Sequence, residues 1–216
     1  HGRALLTAAL RESPDGRLRL WAHGRRAPAA AWARSMGFEQ MRELWQMRRA
    51  LLAELPDAPL PPGVTVRPFV PGHDDEAWLA LNRRAFAGHP EQGAWTAADL
   101  HRRMAEPWFD PAGFFLAERD GRLVGFHWTK VHAHDDQHEP HEPHEPIGEI
   151  YVLGVDPGES GGGLGRALAV IGLRELRARR LPEAMLYVEA GSTAAIRLYT
   201  SLGFTHWDTD TMFRRG

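Results

Sequence analysis

The sequence predicts a mixed α/β fold written twice: a complete copy from residue 64 onward and an incomplete copy before it. Three observations carry the prediction. A helix–strand–helix–strand pattern recurs near the two ends of the chain. An Asp-Gly pair joins two β-rich runs in the middle. A glycine-rich segment then separates a strand from an apolar-patterned helix.

The repeat comes first because it organises everything else. Gly2-Arg3-Ala4-Leu5 matches Gly165-Arg166-Ala167-Leu168, and each opens a helical apolar pattern. A short strand follows each helix, LRLWAHG (18–24) and MLYVEAG (185–191). Next come helices of small residues, AAAWARSMGF (29–38) and AAIRLYTSLGF (194–204). Both copies close on a strand ending in Arg-Arg, at Arg48-Arg49 and Arg214-Arg215. ELPDAPLPPGV (54–64) is rich in Pro and charge, which suits an extended linker. Residues 1–52 are therefore expected to be the C-terminal half of a degenerate first domain. Residues 53–63 form the linker, and 64–216 a complete second domain. The chain starts at His1, without Met and inside a structural unit, so residues before His1 are expected.

Within the second copy, VTVRPFV (64–70) alternates as a strand and DDEAWLALNRRAF (74–86) has helical spacing. A loop containing Pro90 and Gly93 leads to a second helical run around residues 100–104. FFLAERDGRLVGFHWTKVH reads as a hairpin turning at Asp120-Gly121. GEIYVLGV (148–155) is another strand, entering DPGESGGGLGRALAVIGLREL directly. The order β-α-α-β-β-β-α-β-α-β implies a mixed, mostly antiparallel sheet.

Composition narrows the function. With 26 Lys+Arg against 28 Asp+Glu, nothing favours nucleic acid or an anionic membrane as partner. No apolar run reaches transmembrane length and no secretory signal is visible, so a soluble, cytoplasmic protein is expected; a monomer is expected as well. The absence of cysteine excludes disulfides, thiolate–zinc sites and a cysteine nucleophile.

SGGGLGRA (160–167) sits between strand and helix, where glycines let backbone approach a ligand and helix-start amides attract phosphate. A flexible connection is the plain alternative. A nucleoside-triphosphate loop would end in Gly-Lys-Ser/Thr, but Gly165 is followed by Arg166 and Ala167. A dinucleotide fingerprint belongs in the first strand–helix turn of a doubly wound sheet, and this loop follows the fourth strand. A coenzyme A pyrophosphate loop remains. Here the sequence resembles the GNAT superfamily of N-acetyltransferases, whose loop pattern Gln/Arg-x-x-Gly-x-Gly/Ala is matched by Ser160-Gly161-Gly162-Gly163-Leu164-Gly165. Ser160 departs from the usual Gln or Arg. YVLGVDP before the loop and LYVEAGSTAAIRLYTSLGF after it extend the match, with Ser192 in place of an expected Asn. NRRAFAGHPEQGAWT, EPWFDPAGFFLAE, GFHWTKVH and GEIYVLGVDP narrow the resemblance to the mycothiol synthases, tandem members with a degenerate N-terminal copy.

Acetyl transfer to an amine requires a base for the ammonium, polarisation of the thioester carbonyl, and an acid for the leaving thiolate. Glu149 lies on an otherwise apolar strand, where desolvation favours a base; an edge carboxylate paired with Lys or Arg is the alternative. The resemblance implies the base role. Tyr199 shares a helix face with Ala195 and Leu202, which by spacing is core packing; Ser192 is the expected N-cap of that helix. The resemblance implies that Tyr199 protonates the thiolate. Aligning the copies places Ala33 opposite Tyr199, so the first copy lacks the acid.

The resemblance also implies acetyl-CoA as cosubstrate. Backbone at Leu153, Gly154 and Val155 would serve the acetyl carbonyl and pantetheine, and Ser160, Gly161, Gly162, Gly163, Leu164, Gly165 and Arg166 the pyrophosphate. Ser192, Thr193, Ala194, Ala195, Ile196 and Arg197 would flank the coenzyme. Gly154 is also readable as a strand bulge. For the acceptor, a small-molecule amine, it points to Glu91, Lys130, Glu149 and Tyr187, and Trp95 and Trp128 are candidates for lining its pocket. The acceptor so implied is the cysteinyl amine of cysteinyl-glucosaminyl-inositol. Another small amine or peptide N-terminus, or a non-catalytic coenzyme A-binding module, are the rival readings. The stretch HAHDDQHEPHEPHEP (132–146) carries potential metal ligands, but its regularly spaced prolines fit a solvated loop and no metal site is expected.

Overall fold

The computed structural model describes residues 2–13, 17–24, 27–89, 91–133 and 145–216. In chain order come α1 (Gly2–Glu12), β1 (Leu18–Ala22), α2 (Ala27–Ser35) and β2 (Glu39–Ala50). After a connection over 51–63 follow β3 (Val64–Pro68), α3 (Asp75–Ala85) and α4 (Ala97–Met104). Strands β4 (Phe114–Arg119), β5 (Arg122–His132) and β6 (Ile147–Val155) lead into α5 (Leu164–Ala178). The chain closes with β7 (Glu183–Glu189), α6 (Thr193–Ser201) and β8 (Thr205–Arg215). From β3 onward this is the order the sequence predicts. The chain divides into two compact units, residues 1–48 with 187–216, and residues 49–186.

In the unit 49–186 the strands neighbour one another in the order β7-β6-β5-β4-β3. The β3–β4, β4–β5 and β5–β6 ladders are antiparallel and the β6–β7 ladder is parallel. Asp120 (φ 51°) and Gly121 (φ 73°) both take left-handed backbone, the conformation a two-residue hairpin of this hand demands. One face of the sheet carries Phe114, Leu116, Phe126 and Trp128, which join Phe69 and the α3 residue Trp78 in an aromatic-rich core. On a second cluster Val64, Ala117 and Val124 meet Leu164 and Leu168 of α5. Alternation along each strand thus sends one set to the aromatic core and the other to α5.

Helix α5 is fastened to β5 by His127. This imidazole is fully buried, and its Nδ1 donates to the Leu168 carbonyl at 2.7 Å. It lies against Gly172, where an added Cβ would come within 2.0 Å of the ring. The glycine is therefore a packing requirement inside a helix that propensity alone would fill with Ala.

In the unit formed by residues 1–48 and 187–216, β8 runs antiparallel between β1 and β2. Leu6, Ala22, Ala33, Phe38 and Phe213 make its core. Residues 187–190 belong here too: Ala190 donates to the Glu43 carbonyl at 2.9 Å, and Glu189 pairs with Arg42. The chain's last strand therefore packs between two strands from its first fifty residues.

Gly172→Ala is expected to destabilise the protein by roughly 1–3 kcal/mol or more through overpacking against His127, measured by urea unfolding. Burial pushes the His127 pKa down to about 4, opposed by its bond to the Leu168 carbonyl. Folded protein thus keeps this imidazole neutral, whereas an unfolded chain protonates it below about 6.5. The contribution is complete above that pH and is lost as pH falls towards about 4, amounting to about 3 kcal/mol. Replacing His127 with a non-titrating side chain should flatten that part of the stability–pH curve.

Candidate active site

The catalytic candidate on β6 is Glu149, an acid that is only 6% exposed. Its Cα pairs with Lys130 on β5 and with Met185 on β7. Among the described residues, no lysine or arginine forms an ion pair with the carboxylate. His132 is its partner: the imidazole Nε2 lies 2.7 Å from Glu149 Oε2. The Lys130 ammonium instead lies 5.1 Å from the Trp108 ring centroid, a cation–π contact.

Tyr151 follows two residues later. The β5–β6 register slips between Trp128↔Val152 and Thr129↔Ile150, leaving Tyr151 as the extra residue. The alternative reading of Gly154 as a bulge does not hold: the extra residue is Tyr151, and Gly154 sits in regular pairing with Phe126. Gly154 is glycine for a different reason: a Cβ there would meet the Phe126 ring at 2.5 Å and Phe86 at 3.1 Å. The Tyr151 ring packs on Trp108 (5.0 Å) and Trp128 (5.4 Å). Burial pushes its phenol up to about 12, Glu149 and Glu106 adding to the rise while Arg103 opposes it. Trp128 is fully buried with its indole N–H unpartnered, and Trp95 is a partly buried neighbour under the Arg103 guanidinium.

The β6–β7 ladder is short, consisting of Gly148↔Ala184 and Glu149↔Met185. From Ile150 to Val155, β6 continues without a ladder to β7, so Leu153, Gly154 and Val155 lie beyond the parallel pairing. Asp156 ends the strand; its carboxylate accepts from Arg84 Nε at 2.8 Å and from the Gly158 amide at 3.1 Å. Glu159 pairs with Arg119 and Arg122. These contacts fasten the approach to the loop while Ser160, Gly161, Gly162 and Gly163 stay exposed. Gly161 and Gly163 both have φ 83°, and open space surrounds the position of a Cβ at each. They are glycine for conformation, not for room. Gly163 occupies the N-cap position of α5 without a side-chain cap, and the first turn has no acid. Leu164 is buried and anchors the turn; Gly165 and Arg166 follow at the helix start. A helix N-terminus of this kind attracts phosphate.

The other candidates fall in the unit containing residues 187–216. Tyr187 is 37% exposed on β7, and its hydroxyl accepts from Gln46 Nε2 at 2.9 Å. Ser192 holds the N-cap position of α6 but makes no side-chain cap bond, unlike the expectation, so its hydroxyl is not committed to capping. Thr193, Ala194 and Arg197 are exposed along the first turns, with Ala195 and Ile196 half-buried. Tyr199 is buried on α6 against Phe204 at 5.8 Å, and burial pushes its phenol up to about 12. Such a phenol keeps its proton at neutral pH. Ala33, the matching residue in the first repeat, is fully buried.

Glu91 is exposed in the turn after α3. The His-rich run falls largely on residues 134–144, outside the described residues; among those described, no cluster of three potential metal ligands occurs. No described helix is long and apolar enough to cross a membrane. Sequence reasoning missed His132 as the partner of Glu149 and Gln46 as the partner of Tyr187. The strand GFHWTKVH held a signal for the first, since Lys130 and His132 alternate on one strand beside Glu149.

An antiparallel meander, a parallel crossover through α5 and a left-handed glycine loop at its start together make the α/β fold of an acetyltransferase. The chain belongs to the acetyltransferase (GNAT) family, whose model matches residues 76–204. It is 60% identical to a mycothiol acetyltransferase of Acidothermus cellulolyticus, over 98% of this chain and 66% of that protein. Identity is 59% to the mycothiol acetyltransferase of Thermobispora bispora, over 99% and 70%. The chain thus spans about two thirds of the length of these relatives. Among solved structures, a GCN5-related N-acetyltransferase from Sphaerobacter thermophilus superposes with a TM-score of 0.75 at 24% identity, covering 100% of this chain and 69% of that one. A tandem GNAT protein from the clavulanic acid biosynthesis pathway gives 0.70 at 17%, covering 99% and 69%. These two likenesses concern the fold.

Gly154→Ala is expected to cost roughly 1–3 kcal/mol, because the Phe126 ring has to move. A lowered urea midpoint with an unchanged denaturant slope is the signature to measure.

Proposed function

We propose that this chain transfers acetyl from acetyl-CoA to the cysteinyl amine of cysteinyl-glucosaminyl-inositol, yielding mycothiol. The observation that carries the reading is the 60% identity to a protein named mycothiol acetyltransferase, extending over nearly the whole of this chain. The buried carboxylate of Glu149 and the protonated phenol of Tyr199 supply chemistry suited to the reaction.

Transfer is direct, without an acyl-enzyme. Glu149 takes a proton from the substrate ammonium, and the free amine attacks the thioester carbonyl. Backbone at Leu153, Gly154 and Val155 binds the acetyl carbonyl and pantetheine; the missing ladder beyond Glu149 leaves this stretch of β6 suited to an extended arm. As the C–S bond breaks, Tyr199 protonates the coenzyme A thiolate; the second nitrogen proton of the tetrahedral adduct restores the Tyr199 phenol, and the proton held by Glu149 passes to solvent. Residues 160–166 hold the pyrophosphate through backbone amides, and residues 192–197 flank the coenzyme. Glu91, Lys130 and Tyr187 hydrogen-bond the sugar and inositol hydroxyls.

Residues 1–52 and 64–216 are two copies of one domain joined by the linker 53–63, and only the second is catalytic. The first has Ala33 where the second has Tyr199. No metal is required. The enzyme works in the cytoplasm as a monomer, with neither nucleic acid nor membrane as partner.

Mass-spectrometric product analysis with acetyl-CoA and a panel of amines tests the substrate. Acetylation of cysteinyl-glucosaminyl-inositol in preference to aminoglycosides and peptide N-termini is expected; preference for another amine overturns the acceptor. Tyr199→Phe should lower kcat by on the order of 10²–10⁴-fold while leaving acetyl-CoA binding intact.

A further inference from the structure

We propose that His132 is the positioning residue for Glu149, an inference that rests on Glu149 being the general base. The pair is made by strand register. Lys130 faces Glu149 across the β5–β6 ladder and His132 faces Ile147, so His132 is the diagonal neighbour of Glu149. Diagonal neighbours lie roughly 7–8 Å apart at Cα, within reach of two long side chains. Here they meet with His132 Nε2 at 2.7 Å from Glu149 Oε2.

Three features separate this contact from a surface ion pair. The side chains are 20% and 8% exposed, so solvent competes weakly with the bond. Among the described residues, no other side chain or backbone amide hydrogen-bonds the Glu149 carboxylate. Lys130, paired with Glu149 across the ladder, holds its ammonium over Trp108 instead. The carboxylate orientation therefore depends on the imidazole.

The chemistry follows from the two oxygens. Donation from His132 Nε2 to Oε2 fixes the carboxylate plane and leaves Oε1 as the basic oxygen. His132 touches neither substrate nor coenzyme in this scheme and acts only through Glu149.

The test compares His132→Ala with His132→Gln, whose amide presents an N–H donor at similar reach, using the intact chain. Expected for His132→Ala is a fall in kcat of roughly 10- to 100-fold, the cost of a misplaced catalytic group. The KM for acetyl-CoA should stay within about twofold, and His132→Gln should restore most of the lost kcat, since the donor is back in place. Added imidazole should rescue His132→Ala in a saturable way. Wild-type kcat in His132→Ala overturns the proposal, as does a loss that neither the amide nor imidazole repairs, because that is the behaviour of a structural residue. If His132→Ala does not fold, His132→Gln decides alone: near wild-type kcat supports the proposal and a large loss overturns it. Glu149→Gln separates the two claims. Full activity there removes the base itself, whereas an inactive Glu149→Gln beside a fully active His132→Ala removes only the role of His132.

Discussion

Burying the Glu149 carboxylate is the unfavourable act around which the unit 49–186 is arranged. An ionised group at 6% exposure loses much of its hydration and is retained only where something replaces the water. One hydrogen bond from His132 is the replacement provided. Everything that holds β5 and β6 in register therefore also holds that bond: the antiparallel ladder, the aromatic core beneath Phe114 and Phe126, and the His127 anchor to α5. The slip at Tyr151 comes just after Glu149, so the register that sets the pair ends where the strand begins to serve a different purpose.

That second purpose is to leave backbone unpaired. A parallel ladder of two residue pairs is short for a strand running from Ile147 to Val155. Beyond it the strand feeds a loop whose conformation is fixed by two left-handed glycines and whose approach is clamped by Asp156 and Glu159. Rigidity before the loop and exposed backbone within it suit the pyrophosphate role proposed for residues 160–166. The usual Gln or Arg is replaced by Ser160 without disturbing that geometry, since the left-handed positions are Gly161 and Gly163.

Much of this was legible in the sequence because it is local. Helical spacing gave α3 and α5, Asp120-Gly121 gave the hairpin, and the glycine run gave the loop. The features that escaped are set across strands. Glycine is the usual marker of a bulge, which made Gly154 readable as one, yet the register puts the bulge at Tyr151 and gives Gly154 to the Phe126 ring. His132 was hidden inside a repetitive His-rich run, and nothing but the ladder identifies it as the neighbour of Glu149. Ser192 has the right residue type for a cap and the right position, but its backbone (φ −82°, ψ 71°) is not the extended one that capping uses. Repeats, likewise, tell which segments resemble one another and not which pack together: β8 resembles β2 and also pairs with it.

In the proposed mechanism Glu149 performs chemistry and does not bind coenzyme. Acetyl-CoA affinity by calorimetry and single-turnover acetylation, both on one preparation of Glu149→Gln, separate the two roles. Affinity unchanged within about twofold and a transfer rate lower by about 10²-fold or more are expected. A transfer rate equal to wild type would contradict that mechanism, as would a loss accounted for entirely by weaker acetyl-CoA binding.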